Sequence, residues 1–124
     1  MTLRDEISSE KYINLETFRK NGEAVHTPVW FVTDGEQIYV RTVADSGKVK
    51  RIRRNSRIHV APCKMDGTLT GEWKPAVAVE IRDGDVEKKV DRLLDQKYGL
   101  VKKLFSLGDL FKKQPMTVLE IREE

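Results

Sequence analysis

Cys63 is the only cysteine, so no internal disulfide and no thiolate metal cluster can form, and the core must be stable by packing. The two histidines, His26 and His59, sit singly on predicted strands, and no His-Glu-x-x-His pattern occurs. A lone strand histidine is more often a packing or surface residue than a ligand, and no metal site is expected. No apolar run approaches the roughly 20 residues of a membrane helix. The start, Met-Thr-Leu-Arg-Asp-Glu, lacks a basic region followed by an apolar stretch, and the expected compartment is the cytoplasm. Gly47-Lys48 precedes Val49 rather than a hydroxyl residue, which excludes a Walker loop. Acidic residues form no evident pair, so no catalytic residue is named and any reactive group is expected to be borrowed.

Charge is abundant and unevenly placed. Of 124 residues 35% are charged, and the mean hydropathy is −0.53. One domain over residues 1–124 is expected at this length. Lys48, Lys50, Arg51, Arg53, Arg54 and Arg57 lie within ten residues that hold no acid. Taking those six from 23 basic residues leaves 17 against 20 acidic, so a body at −3 carries a window at +6. Such a window points to an anionic partner or ligand group.

Period-2 patterning predicts strands over residues 11–18, 24–33, 37–42, 56–64, 72–82 and 116–122. Ile13, Leu15 and Thr17 share one face of the first strand, and Ile38, Val40 and Thr42 one face of the third, against Tyr39 and Arg41. Asn21-Gly22 and Asp34-Gly35 supply turns that put the first three strands in meander order. Pro28 marks an edge or bulge. Residues 45–54 change to helical period, with Val49 and Ile52 on one stripe and Asp45 or Ser46 as cap. Val86, Val90, Leu93 and Leu94 predict a helix over residues 85–98, and Leu100, Val101, Leu104 and Phe105 a second short one. Six strands with late helices in one small domain predict a mainly β fold, a closed antiparallel barrel.

The strongest chemical constellation is Thr42, Ser46, Gly47, Lys48 and Arg51. A strand end and a capped helix start would aim backbone N–H groups, hydroxyls and a lysine at one point, as a phosphate monoester requires. A solvated basic helix packed through Val49 and Ile52 explains the stripe but leaves six cations repelling one another.

The series Ile38-Tyr39-Val40-Arg41-Thr42, then Asp45-Ser46-Gly47-Lys48-Val49-Lys50-Arg51-Ile52-Arg53-Arg54-Asn55, resembles the pyridoxamine 5′-phosphate oxidase-like split β-barrel family, and within it the deazaflavin-dependent oxidoreductases that use coenzyme F-420. Thr27-Pro28-Val29-Trp30-Phe31, Ala61-Pro62-Cys63 and Lys97-Tyr98-Gly99 support the match, which runs from about residue 11 to 122. Asn55-Ser56 departs from the family's Asn-Pro, and Arg82-Asp83-Gly84 from its usual strand end. The resemblance implies a six-stranded antiparallel split β-barrel of FMN-binding type. It also implies a homodimer with two cofactor sites at the interface and a small-molecule substrate.

On the same resemblance Arg41, Thr42, Ser46, Gly47 and Lys48 would hold a cofactor phosphate, with Arg51 in support. Thr27, Pro28 and Val29 would line the ring largely through backbone groups, and Trp73 would be a wall from the partner chain. The ring would carry the hydride chemistry. Coenzyme F-420 is favoured over FMN because Lys50, Arg53, Arg54 and Arg57 exceed what one phosphate needs and suit a polyglutamate tail. Two alternatives stand beside this. One is a nucleic-acid-binding module using the basic helix, against which no aromatic lies in the window for base stacking. The other is a non-enzymatic carrier of a flavin, deazaflavin or tetrapyrrole.

Overall fold

The computed structural model describes residues 2–107 and 114–124. Its elements are α1 (Leu3–Ile7), β1 (Tyr12–Phe18), β2 (Ala24–Val29), β3 (Val32–Asp34), β4 (Gln37–Val43), α2 (Gly47–Arg54), β5 (Arg57–Cys63), β6 (Lys74–Ile81), α3 (Gly84–Leu107) and β7 (Met116–Glu123). The strands form one antiparallel sheet in the order β2-β1-β5-β6-β7-β4-β3. Its two edge strands are consecutive in the chain and joined by only Trp30 and Phe31. That link sets the edges end to end with no ladder between them, so the closed barrel expected from the strand count is not closed and the fold is a split β-barrel. The expected strand over residues 24–33 is therefore two strands, and the sheet has seven rather than six. β2 pairs with β1 and β3 with β4, each at one edge. Pro28 lies on an edge, where a missing donor costs no ladder bond. Gly22 and Gly35 take the positive φ values, 87° and 59°, that the tight turns require.

Alternation divides the side chains between the two faces. Ile13, Leu15, Ile38, Val40, Ile58, Val60, Leu119 and Ile121 fill the barrel, with Phe31 and the α1 residues Leu3 and Ile7. On β6 the residues turned inward are the small Ala76 and Ala78, both buried, while Val77 and Val79 stand half-buried outside. The crowded lumen selects small side chains there.

On the outer face α3 covers β3, β4 and β7, joining Val90, Leu94 and Tyr98 to Val32, Tyr39 and Val118. Gly99, at φ 47° and ψ −119°, breaks α3 into the two helices expected. Tyr98 accepts from Phe31 N at 3.0 Å, and Lys97 Nζ donates to Phe31 O at 3.0 Å, so the break in α3 pins the link between the sheet edges.

Candidate anion and cofactor site

Helix α2 follows β4 directly and lies across the barrel mouth. Val49 and Ile52, three residues apart, are buried, which turns the helix's cations toward the strand ends around it. Lys48 Nζ donates to Thr42 Oγ1 on β4 at 2.6 Å, and Arg51 Nε to Thr17 Oγ1 on β1 at 2.7 Å. Arg53 grips both oxygens of Glu80 on β6 at 2.9 Å each, and Arg54 Nη2 reaches Phe18 O at 3.0 Å. Arg53, with Thr117 Oγ1 at 2.7 Å, holds the Glu80 carboxyl down to about 2. The basic window is thus partly structural, since its side chains fasten α2 to three strands. Arg57 also meets an acid, Glu124, at 3.7 Å.

The start of α2 is different. Ser46 stands at the N-cap with φ −68° and ψ 156°, yet its hydroxyl makes no capping bond and is buried without a partner. The first helical bond runs from Lys50 N to Ser46 O at 3.1 Å, and no acid lies in the first turn. The N–H groups of the opening residues therefore need acceptors from outside the helix. A Cβ on Gly47 would stand 2.8 Å from Arg51 Nη1, so the missing side chain is what lets the guanidinium fold against this turn.

Lys48 and Arg51 face no carboxylate among the described residues. Burial and then Arg51 pull the Lys48 ammonium below its ordinary pKa, and burial, Arg19 and Arg54 do the same to Arg51. Burial is the larger cause in both, and the neighbouring cations add to it. An orphaned hydroxyl, free helix N–H groups and two such cations fit a phosphate.

The other expected site residues lie elsewhere. Arg41 points to the opposite face of β4 from Thr42, with Nη1 3.8 Å from Asp91 on α3. Thr27 and Val29 share a face of β2, and Val29 packs on the core. Pro28 points the other way, toward the Gly67 loop. Trp73 lies on the outer face against His26, with ring centroids 4.8 Å apart. The chain brings together Thr42, Ser46, Gly47, Lys48 and Arg51, and it does not bring Arg41 or Trp73 to them.

Two groupings were missed in the sequence. His26 Nε2 meets Glu16 Oε2 at 2.7 Å and His59 Nδ1 meets Glu16 Oε1 at 2.8 Å, because β1 lies between β2 and β5. The Asn21-Gly22 hairpin would have paired Glu16 with His26, but nothing local announces His59. No group of three metal-ligating side chains occurs among the described residues. Thr17, which takes up Arg51, was read only as a strand residue. Cys63 is buried and its thiol is pushed up by that burial, which makes it inert.

The molecule is of the split-barrel class, with the uncapped start of α2 beside Lys48 and Arg51. It matches the pyridoxamine 5′-phosphate oxidase family over residues 2–122 and belongs to that family. No protein of a curated set matches it in sequence. Its fold is shared with a conserved hypothetical protein of Mycobacterium tuberculosis, at TM-score 0.71 and 17% identity over 100% of this chain and 81% of the other. The heme storage protein HutZ of Vibrio cholerae is similar at TM-score 0.69 and 15% identity, over 98% and 87%. A FAD-binding protein of Mesorhizobium loti follows at 0.61 and 18%, over 97% and 84%. Among the described residues no helix is long and apolar enough to cross a membrane.

Proposed function

We propose that the protein is an oxidoreductase that seats the phosphate of a flavin-type cofactor, coenzyme F-420 or FMN, at the start of α2. The observation that carries this reading is the buried, unpartnered Oγ of Ser46 at an uncapped helix start beside Lys48 and Arg51. When bound, the ring supplies hydride chemistry toward a small organic substrate. Ser46 Oγ, the N–H groups of Gly47 and Lys48, Lys48 Nζ and Arg51 Nη1 would hold the phosphate, with Thr42 fixing the lysine. β2 is an edge strand with β1 on one side only, and Thr27, Pro28 and Val29 would line the ring along it.

A homodimer belongs to the same proposal. Arg41 and Trp73 lie away from the phosphate seat of their own chain, and a second copy is the means of bringing them to a site. Titration of the purified chain with F-420 and FMN side by side, followed by a screen for oxidation of the reduced cofactor, tests the reading. Saturable binding of at least one is expected, and binding of neither overturns it.

A second reading rests on Glu16. It engages one ring nitrogen each of His26 and His59, the carboxylate backing that metal-ligating histidines usually have. That favours a tetrapyrrole carrier. A haem absorbance shift that is lost in His26→Ala or His59→Ala would support it. The nucleic-acid reading loses ground, because Arg53 and Arg57 meet acids and Lys48 and Arg51 turn toward the strands.

A further inference from the structure

Lys97 takes no part in the phosphate seat. The break of α3 at Gly99 lies just beyond Lys97 and Tyr98, which rest on Phe31 in the link between the sheet edges. Lys97 Nζ donates to Phe31 O at 3.0 Å and stands 3.3 Å from the Phe31 ring centroid, with the Tyr98 ring centroid 5.3 Å away. Each of these partners is neutral. Lys74 and Lys89, by contrast, place Nζ on carboxylates, Glu6 at 3.0 Å and Asp34 at 2.8 Å, and those bonds hold the proton on the amine.

The Phe31 seat suits a neutral amine. It offers a carbonyl oxygen and a ring face as acceptors for the two N–H groups of an uncharged lysine. With both N–H groups so placed, the lone pair points away from them. Phe31 is fully buried and Lys97 only half-buried, which leaves the lysine side chain reachable from solvent. Burial brings the Lys97 pKa down to about 8, although Glu10 acts in the opposite direction. Tyr98, the other titratable group of the cluster, is raised by burial and by Tyr12 and stays a neutral phenol over this range. At pH 8 about half of Lys97 is free amine, against roughly 0.3% of a lysine at the ordinary 10.5. Lys48 shares the lowering by burial, but its printed acceptor is the single Thr42 hydroxyl, and the Arg51 cation acts on it.

We propose that Lys97 is a modification site, a nucleophilic lysine that takes a small acyl group from an activated donor of the acyl phosphate class. The Nζ lone pair attacks the acyl carbon, the bond from that carbon to the phosphate oxygen breaks, and the amine gives up a proton to water as inorganic phosphate leaves. The product keeps one N–H, now an amide, to donate to Phe31 O, and no charge remains over the ring. Packing against Phe31 restricts the group to a small one such as acetyl. The inference is independent of the phosphate seat.

The test is trace labelling of wild type with acetyl phosphate from about pH 7 to about pH 10, read peptide by peptide in a mass spectrometer, with the exposed Lys20 and Lys64 as references. At pH 8 Lys97 is expected to label about tenfold faster than either, and its rate to level off above that pH while theirs keep climbing. Protein acetylated at Lys97 is expected to lose the rise in stability between about pH 8 and about pH 10 that a buried, titrating amine produces. Labelling of Lys97 no faster than that of Lys20 and Lys64 at pH 8, or a rate that climbs in parallel with theirs, overturns the proposal. A rise in stability that persists after Lys97 is acetylated overturns it as well.

Discussion

Ser46 occupies the N-cap of α2 with its Oγ buried and unpartnered, so alanine there removes a polar group that the fold leaves unsatisfied. The melting temperature of Ser46→Ala is expected to stay equal to wild type or rise slightly, while affinity for a phosphate ligand drops about tenfold. A structural serine would show the reverse.

Lys97 permits a pH test. Its ammonium lies 3.3 Å from the Phe31 ring centroid, and burial brings its pKa down to about 8. The unfolded chain keeps the ordinary value of 10.5, so it binds more protons than the fold between those limits. Stability therefore rises with pH from about 8 to about 10. Burial raises the Tyr98 phenol, whose contribution is lost above about 10. Denaturant unfolding at a series of pH values should show this climb, and Lys97→Met should flatten it. A wild-type curve that falls between pH 8 and 10 would contradict the assignment.

At the scale of elements, α2 is a plug held by packing and by four polar side chains that reach three strands. Ile52→Ala empties a buried position and is expected to cost about 2–4 kcal/mol in denaturant unfolding. The tether from Arg53 to Glu80 has a pH signature. The Glu80 carboxyl is held down from 4.5 to about 2, so its contribution is present above pH 4.5 and lost as the pH falls toward 2. The melting difference between wild type and Arg53→Met should be large at pH 6 and close toward pH 2. A constant gap would mean that the pair is not the tether.

The elements also show what the sequence makes readable. The alternation of Ile38, Val40 and Thr42 against Tyr39 and Arg41 already set Arg41 apart from Thr42, and the family pattern obscured that geometry. Residues 24–33 read as one strand because their composition is uniform. Their break at Trp30-Phe31 is decided by Lys97 and Tyr98, far away in sequence. The Ser46-Gly47-Lys48 start was legible because helix periodicity and capping are local. The tethers to Thr17 and Glu80 depend on sheet order and were not.

For the whole molecule, among the described residues, the barrel encloses one face of its sheet and α3 covers part of the other. Trp73, Val77 and Val79 remain outside, half-buried, on the uncovered part. Light scattering at micromolar concentration is expected to give twice the 14.3 kDa chain mass. A monomer that still binds cofactor with full affinity would contradict a shared site.

Riboflavin differs from FMN by the phosphate alone, so the ratio of their affinities isolates what the start of α2 contributes. The direct measurement is paired titration of wild type with the two ligands. A preference for FMN of about 100-fold is expected from a charge-assisted seat of this kind, falling to about tenfold in Ser46→Ala at unchanged melting temperature. Equal affinity of wild type for riboflavin and FMN would contradict the account at its centre.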